Sequence, residues 1–307
     1  MPTDKINAAA SGTWRLGDLT VNRLGFGAMR LPQSGRAFAA DAVPRDRNRA
    51  IGVLRRAVEL GVDHIDTASF YFSRLRSANE LINRALGPYP EGLVISTKVG
   101  PGRHPDGSWW WADPGQLRGQ VEENLRQLGR DHLDLVNLRI RPGRADGPIA
   151  EHFGALAELR TAGLIRHLGL SYALPHHLAE ARSIAPVVCV QNPYGIGSPA
   201  EDHAFVDACG EQGVAFVPFF AIAGTGKESG AVADDEDRVR AAARARGVSP
   251  AQLRLSWTLS RGPHVLAIPG TGDPDHLAEN VAAGALRLSA HEVERLTPPD
   301  SADTSLP

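Results

Sequence analysis

The sequence predicts an α/β fold of the (β/α)8 class, a TIM barrel preceded by an N-terminal β-hairpin. Short apolar runs rich in β-branched residues alternate with longer amphipathic segments, which is the pattern of repeated βα units on a parallel sheet. The strand-like runs number eight, as a closed barrel of this kind requires. The chain has 307 residues, a length that suits one such barrel.

Each βα unit can be placed along the chain. The predicted strands cover residues 24–29, 64–67, 93–98, 133–139, 167–171, 187–192, 215–220 and 265–269. The predicted helices cover residues 47–60, 78–86, 114–128, 149–162, 175–184, 202–212, 237–246 with 250–260, and 274–283. Asp113-Pro114 and Ser249-Pro250 are typical of a helix N-cap followed by proline. Gly61, Gly163 and Gly213 stand where helices should end.

The segments outside these units are short. Residues 13–21, with Gly17-Asp18 inside, predict the extra hairpin, which we expect to close the barrel floor. We expect one domain over residues 1–307, with flexible tails at 1–12 and 298–307 and a loose segment at 224–235. A doubly wound open sheet is the rival architecture. Gly25-Phe26-Gly27 favours it weakly, because the third glycine of a dinucleotide turn is missing.

Composition narrows the class of protein. Hydrophobic residues make up 42% and charged residues 22%, and the formal net charge is -2. Nothing in this balance draws the whole chain to nucleic acid or to a membrane, so we expect a small-molecule partner and a monomer or small homo-oligomer. Cys189 and Cys209 fit neither a disulfide framework nor a zinc motif, and no HExxH pattern occurs. The expectation is a cytoplasmic protein without a metal.

Polar residues end several of the apolar runs. In a parallel barrel such residues meet at one mouth, because chemistry collects at the C-terminal ends of the strands. Asp66 and Lys98 end two runs, and a structural ion pair is the simplest interpretation of them. Tyr71 lies just past Asp66, where its hydroxyl can reach Lys98. A nearby ammonium stabilises phenolate and lowers the pKa of a tyrosine, which favours an acid catalyst at this mouth.

The order of these motifs resembles the aldo-keto reductases. The resemblance rests on Ile65 to Tyr71, Ser96-Thr97-Lys98 and the Leu133 to Leu138 run. It continues at Leu168 to Ser171, Val190 to Tyr194, Val217 to Gly224 and Ile268 to Thr271, and at Glu279-Asn280. It implies hydride transfer between a nicotinamide and a carbonyl carbon. Tyr71 would then be the general acid, Lys98 would lower its pKa, and Asp66 would orient Lys98.

The fourth position departs from the family pattern. Arg139 stands where a histidine is usual, and arginine donates hydrogen bonds but does not relay protons. One interpretation is that Arg139 polarises the carbonyl or grips an anionic or phenolate-bearing substrate. The other is that it turns aside and neutralises an acid such as Asp134. Its neighbour Arg141 has the same two interpretations.

The resemblance also implies a cofactor site. NADPH is expected, with NADH open, and the nicotinamide would contact Ser171, Gln191 and Phe219. Tyr172 replaces the asparagine usual beside Ser171, which leaves its role open. The helix start after the Gly270-Thr271 turn favours phosphate binding. The remaining expected cofactor contacts are His276, Glu279 and Asn280.

Aromatic residues predict the substrate wall. Trp110 and Trp111, within the run Trp109 to Trp111, and Phe70 are the expected substrate contacts; a hydrophobic loop clamp is the alternative for the tryptophans. The Arg139 variant resembles a bacterial branch of the family that includes pyridoxal reductases. The predicted function is therefore NADPH-dependent reduction of an aldehyde or ketone, pyridoxal-like or otherwise anionic or aromatic. The alternatives are a secondary-metabolism reductase of an enone or imine, and a cofactor-binding regulatory subunit.

Overall fold

The fold is described from a computed structural model, which covers residues 6–35, 38–39, 41–142, 147–222 and 236–297. The loose segment expected at 224–235, and the tails at 1–5 and 298–307, lie outside these residues. The strands in this part of the chain are β1 (Thr13–Leu16), β2 (Leu19–Asn22), β3 (Phe26–Gly27), β4 (Gln33–Ser34), β5 (Val43–Pro44), β6 (His64–Asp66), β7 (Val94–Val99), β8 (Pro101–Arg103), β9 (Trp109–Trp111), β10 (Leu133–Arg139), β11 (Ile165–Ser171), β12 (Val187–Gln191) and β13 (Ala215–Phe216).

Helices follow most strands of the central sheet. They are α1 (Arg47–Glu59), α2 (Ala78–Leu86), α3 (Leu117–Leu128), α4 (Ala150–Thr161), α5 (Pro175–Ile184), α6 (Ala200–Glu211), α7 (Glu236–Arg246), α8 (Pro250–Ser260), α9 (Pro274–Ala282) and α10 (Ala290–Leu296). Ser249 caps α8 by accepting from the amide of Gln252. Gly61, Gly163 and Gly213 have positive φ at the ends of α1, α4 and α6, which a glycine adopts without strain. The helix start and stop signals are confirmed at these points.

The central sheet confirms the predicted barrel. Seven described strands pair side by side in the order β13, β12, β11, β10, β7, β6, β3, and every pair is parallel. The eighth predicted strand, residues 265–269, forms two single parallel bridges instead, Phe216 with Val265 and Leu24 with Ala267. Pro269 has no N–H to donate to a neighbouring strand, although its carbonyl accepts from the amide of Gly27 at 3.2 Å. The two bridges nevertheless join the last unit to both ends of the sheet and close the barrel.

The hairpin of β1 and β2 covers the floor, as expected. Leu16 and Val21 are buried against the barrel interior, in a cluster with Val94, Leu135 and Leu266. A larger apolar core lies between the sheet and the helices. No helix in the described part of the chain is long and apolar enough to cross a membrane.

The expected flexible tail at residues 1–12 is corrected for residues 6–12. Ala8–Ser11 forms a 3-10 helix whose N-cap is the side chain of Asn7. The amide of Ala8 donates to Leu60 O at 2.8 Å, and Ser11 Oγ accepts from the amide of Leu24 at 3.0 Å. Ala8 and Ser11 are buried. This segment is held because its backbone is tied to α1 and to the first barrel strand.

Candidate active site

The alternation of side-chain direction along the barrel strands determines which polar side chains point into the barrel. Side chains at every second position of a barrel strand point inward and form layers. Val94 and Leu135 lie in the lowest layer, and the next inward positions, Ser96 and Asn137, are joined by a 3.1 Å hydrogen bond. One step further along each strand come the inward residues at the C-terminal mouth, which are Asp66, Lys98, Arg139, Ser171 and Gln191.

Asp66 and Lys98 form a buried ion pair at the centre of this mouth. Lys98 Nζ lies 2.6 Å from Asp66 Oδ1 and 2.8 Å from Asp66 Oδ2, and it also donates to Thr67 O at 3.1 Å. Burial acts to lower the pKa of Lys98, but the Asp66 carboxylate and its hydrogen bonds raise that pKa above its usual value. Lys98 is therefore a permanently charged ammonium.

Tyr71 is held directly above this pair. Its amide donates to Ala68 O at 3.0 Å, and its carbonyl accepts from the amide of Ala78 at 2.8 Å. Lys98 Nζ lies 4.9 Å from the centre of the Tyr71 ring. Burial raises the pKa of Tyr71, while the charges of Lys98 and Arg139 lower it and that of Asp66 raises it. The lowering by Lys98 that the sequence predicts is present, but burial outweighs it and the hydroxyl stays protonated.

A cavity of about 550 Å³ opens over these residues. Asp66, Tyr71, Lys98, Arg139 and Gln191 form its polar floor, and the predicted contacts Phe70, Phe219 and Gly270 also line it. The rest of its wall is largely apolar and includes Met29, Phe38, Trp109, Phe220 and Ile268. Its size and polarity suit a small, flat organic molecule.

The three tryptophans differ in their position relative to the cavity. Trp109 lines the cavity, whereas Trp110 and Trp111 do not belong to its described lining. The three residues form β9, which pairs with β8 in an antiparallel hairpin. Trp110 lies flat across Gly102, where a β-carbon would sit 2.0 Å from the indole. The hairpin register thus turns Trp110 away from the mouth, and the loop-clamp interpretation suits it better.

The aromatic wall of the cavity consists of Phe38, Phe70, Trp109, Phe219 and Phe220, and parts of the backbone at and beside it are strained. Phe38, Tyr172 and Phe220 have φ values of 62°, 59° and 67°, a left-handed conformation that bulky side chains rarely adopt. Phe38 and Phe220 line the cavity, and Tyr172 packs on Phe219 with ring centres 5.3 Å apart. Strain of this kind collects at ligand sites, where the surroundings hold it in place.

Arg139 reaches the cavity and does not turn aside. Its guanidinium carbon lies 4.5 Å from the Tyr172 ring centre and 5.3 Å from that of Phe219, and Nη1 donates to Ser171 Oγ at 3.4 Å. Asp134, the alternative partner, instead forms an ion pair with Arg130. Among the described residues no carboxylate lies within ion-pair distance of Arg139. The exposed Arg141 stands outside the cavity lining described here.

Gln191 offers an unused acceptor for a nicotinamide. Its Nε2 donates to Asp66 Oδ2 at 2.8 Å. Its Oε1 is buried and has no hydrogen-bond partner among the described residues. A buried acceptor left without a donor is costly, so the site suits a ligand that supplies an N–H. A carboxamide beside Ser171 and Phe219 fits that requirement.

The expected phosphate turn is built differently from the prediction. Asp273 caps α9, and its carboxylate accepts from the amides of Asp275 and His276 at 2.9 Å and 3.3 Å. Those two amides are therefore unavailable to a phosphate. Thr271 Oγ1 accepts from the amide of Asp273, Asn280 is buried, and the side chains of His276 and Glu279 are exposed.

Two arginines that sequence reasoning missed lie against this turn. Arg49 pairs with Asp273 at 2.5 Å and donates to Gly272 O at 3.1 Å. A β-carbon on Gly272 would sit 2.7 Å from the guanidinium carbon of Arg45. Burial and the charges of Arg30 and Arg49 lower the pKa of Arg45. No local motif signals these contacts, because they come from the start of α1, far away in the chain.

Comparisons of sequence and structure find similar proteins. A sequence model of the Aldo/keto reductase family matches residues 23–298. A protein named pyridoxine 4-dehydrogenase, from Escherichia coli strain K12, is 45% identical over 94% of this chain and 98% of its own length. An uncharacterized oxidoreductase of Schizosaccharomyces pombe is 36% identical over 95% of this chain and 90% of its own. The crystal structure of an aldo-keto reductase from Klebsiella pneumoniae in complex with NADPH matches with a TM-score of 0.76 and 26% identity, over 96% of this chain and 98% of that one.

Proposed function

This chain belongs to the aldo/keto reductase family, and from that premise we propose that it reduces an aldehyde or ketone to an alcohol with NADPH. The observation that carries the proposal is the meeting of Asp66, Tyr71 and Lys98 under one cavity. Such a set combines a protonated hydroxyl with a fixed positive charge, which is what a carbonyl oxygen requires as it becomes an alkoxide.

The proton is supplied by the chain's own residues. When bound, the reduced nicotinamide supplies a hydride to the carbonyl carbon. Tyr71 donates its hydroxyl proton to the carbonyl oxygen, so the product is the alcohol and the oxidised cofactor. Lys98 stabilises the tyrosinate that remains, because its ammonium lies 4.9 Å from the Tyr71 ring centre. Asp66 keeps Lys98 charged and holds it in place.

The cofactor contacts form a second part of the proposal. Gln191 Oε1 would accept from the carboxamide, with Ser171 beside it and Phe219 against the ring. The Klebsiella pneumoniae structure was solved with NADPH. On this chain, Thr271 with Arg45 and Arg49 would hold the 2′-phosphate, since Arg49 already neutralises Asp273 and leaves Arg45 as a net positive charge. His276, whose side chain is exposed beside this turn, would add to the 2′-phosphate contacts, and Glu279 and Asn280 would complete the adenosine side.

The substrate is proposed to be a flat aromatic aldehyde that carries negative charge, as pyridoxal does. Arg139 supports this choice, because it faces the cavity and has no carboxylate partner among the described residues. The aromatic wall offers rings for a planar molecule to pack on. The relative named pyridoxine 4-dehydrogenase supports the same choice.

Cofactor consumption tests the proposal. Purified protein is mixed with NADPH or NADH and with pyridoxal, simple aldehydes, ketones, enones and imines, and absorbance at the nicotinamide band is followed. We expect NADPH oxidation with pyridoxal and related aldehydes. Turnover confined to enones or imines would support the secondary-metabolism alternative. Tight NADPH binding without turnover on any compound would support a regulatory subunit.

The state of the two cysteines bears on where the protein is located in the cell. Cys189 and Cys209 are both free and buried, and burial raises the pKa of the Cys209 thiol to about 12. We propose a cytoplasmic enzyme with a small-molecule partner. We also propose that it is a monomer or small homo-oligomer in solution, and gel filtration tests this oligomeric state.

A further inference from the structure

Arg103 is a buried cation close to the active site. Arg103 ends β8 and is 9% exposed, yet it does not belong to the described cavity lining. We infer that Arg103 is a positioning residue, which fixes the segment that carries Tyr71 and joins that segment to the aromatic wall. The inference rests on the proposed role of Tyr71 as the acid.

Arg103 holds the chain on both sides of Tyr71. Its Nε donates to Phe70 O at 3.3 Å, and its Nη2 donates to Phe72 O. The guanidinium carbon also lies 4.0 Å from the Phe72 ring centre. Because the amide and carbonyl of Tyr71 are bonded to Ala68 and Ala78, this segment has little freedom left. One side chain therefore fixes the direction in which the Tyr71 hydroxyl points.

The Arg103 guanidinium also contacts the aromatic wall, and so connects that wall to the segment that carries Tyr71. Nη1 donates to Phe38 O at 3.4 Å, and the guanidinium carbon lies 5.4 Å from the Phe38 ring centre. Trp109 is the cross-strand partner of Arg103 in the hairpin. The Phe38 ring stacks on Tyr71 with ring centres 5.8 Å apart and meets Trp109 edge-to-face with ring centres 5.3 Å apart. Arg103 thus links the acid to two of the rings that shape the cavity.

Arginine suits this position for chemical reasons. Its planar guanidinium presents donors in several fixed directions, whereas a lysine ammonium is a compact point charge. No carboxylate of the described residues lies within ion-pair distance of Arg103, and its acceptors are backbone carbonyls. Burial accordingly lowers its pKa. Burying a cation without a carboxylate partner costs free energy. We attribute the presence of Arg103 here to the groups that it holds in position.

The first experiment compares Arg103→Lys with Arg130→Lys. Arg130 is a matched control, because it also packs on a tyrosine, Tyr89 at 4.7 Å, and is largely buried but lies at the far end of the barrel. We expect Arg103→Lys to lower kcat about 100-fold, the scale of a small misplacement of a reacting group. The dissociation constant for NADPH should stay unchanged, and Arg130→Lys should keep both values.

A second readout does not depend on turnover. The protein has four tyrosines, so carbon-13 labelling at Cζ gives four resonances, and Tyr71→Phe identifies the one from Tyr71. Burial raises the pKa of Tyr71. If Arg103 holds it in place, Arg103→Lys lets water in, and the Tyr71 resonance titrates at a lower pH than in the parent protein. The titration tests the role of Arg103 without measuring activity. The proposed function is tested separately, and it fails only if the parent protein turns over no carbonyl.

Two results would overturn the inference. One is an unchanged Tyr71 titration with unchanged kcat in Arg103→Lys. The other is a loss of kcat that tracks equal losses of NADPH affinity and of folded protein, as a general structural defect would produce. If Arg103→Lys does not fold, Phe72→Leu removes the ring under the guanidinium and leaves its hydrogen bonds. Phe72→Leu must then also lower the pH at which the Tyr71 resonance titrates. An unchanged titration would refute the positioning role of Arg103.

Discussion

Arg139 adds positive charge to the floor of the cavity. The Asp66 and Lys98 charges cancel there, and Arg30 is the other arginine in the described lining. Arg139 Nη1 donates to Ser171 Oγ, and its guanidinium lies over two aromatic rings. Tyr172, which stands where asparagine is usual in the family, packs on this guanidinium. The two departures are therefore one structural unit. A tyrosine with strained backbone supports an arginine that faces the cavity.

Replacing Arg139 tests whether this charge selects the substrate. We expect Arg139→Met to lower kcat/KM about 10- to 100-fold for pyridoxal, because a hydrogen bond to a charged group contributes about 1.5–3 kcal/mol. Activity on benzaldehyde, which has no charge, should change little. The exposed Arg141→Met is the control. Arg139→His should also lose pyridoxal activity, and a gain would show that Arg139 does not serve this substrate.

Sequence predicts the residues at strand ends and misses those fixed by tertiary contacts. Asp66, Lys98 and Arg139 could be placed because strand alternation and barrel geometry send them to one mouth. Trp109 and Arg103 could not, because their directions depend on the register of the β8–β9 hairpin. Three adjacent tryptophans have no periodicity that distinguishes the one facing the cavity.

At the scale of elements, we propose that side chains, and not the amides at the start of α9, hold the cofactor 2′-phosphate. Asp273 uses the free amides of this helix start for its own cap. The positive charge at this site comes instead from Arg45, just before α1, and from Arg49, in the first turn of α1. A sequence motif at Gly270-Thr271 shows the turn but not its charge, because the arginines belong to another element.

Substitutions at this turn test the 2′-phosphate assignment. Thr271→Ala, His276→Ala and Arg49→Gln should each raise the KM for NADPH, by about fivefold for an exposed charge such as Arg49. The KM for NADH should stay constant, because NADH lacks this phosphate. Arg47→Gln, which removes an exposed arginine of the same helix paired with Glu80, is the control. Equal effects on the two cofactors would contradict the assignment.

At the scale of the whole molecule, the barrel depends on one arginine where its ends meet. Arg23 donates to Ser11 O, Leu259 O, Gly262 O and Val265 O at 2.5–3.3 Å. Burial and the charge of Arg287 lower the pKa of Arg23 to about 10. The last unit carries two single bridges in place of a full strand, so this side chain supplements a weak closure. Hydrophobic patterning predicts eight βα units but not how tightly the last one pairs.

Arg23→Ala should therefore destabilise the fold. We expect the free energy of unfolding to fall by about 3 kcal/mol, because four partly buried carbonyls lose a charged donor. Denaturant titration measures this loss, and the exposed Arg15→Ala should leave the unfolding free energy almost unchanged. An Arg23→Ala protein as stable as its parent would show that the hairpin and the bridges alone close the barrel.

The central claim is that Tyr71 protonates the substrate oxygen during hydride transfer. The direct measurement is the rate of NADPH oxidation by pyridoxal in a single turnover, for the parent protein and for Tyr71→Phe, together with the NADPH dissociation constant of each. The account predicts a loss of about 10²- to 10⁴-fold in the transfer rate, the usual contribution of a general acid, with NADPH affinity nearly unchanged. An equal transfer rate in the two proteins would contradict it.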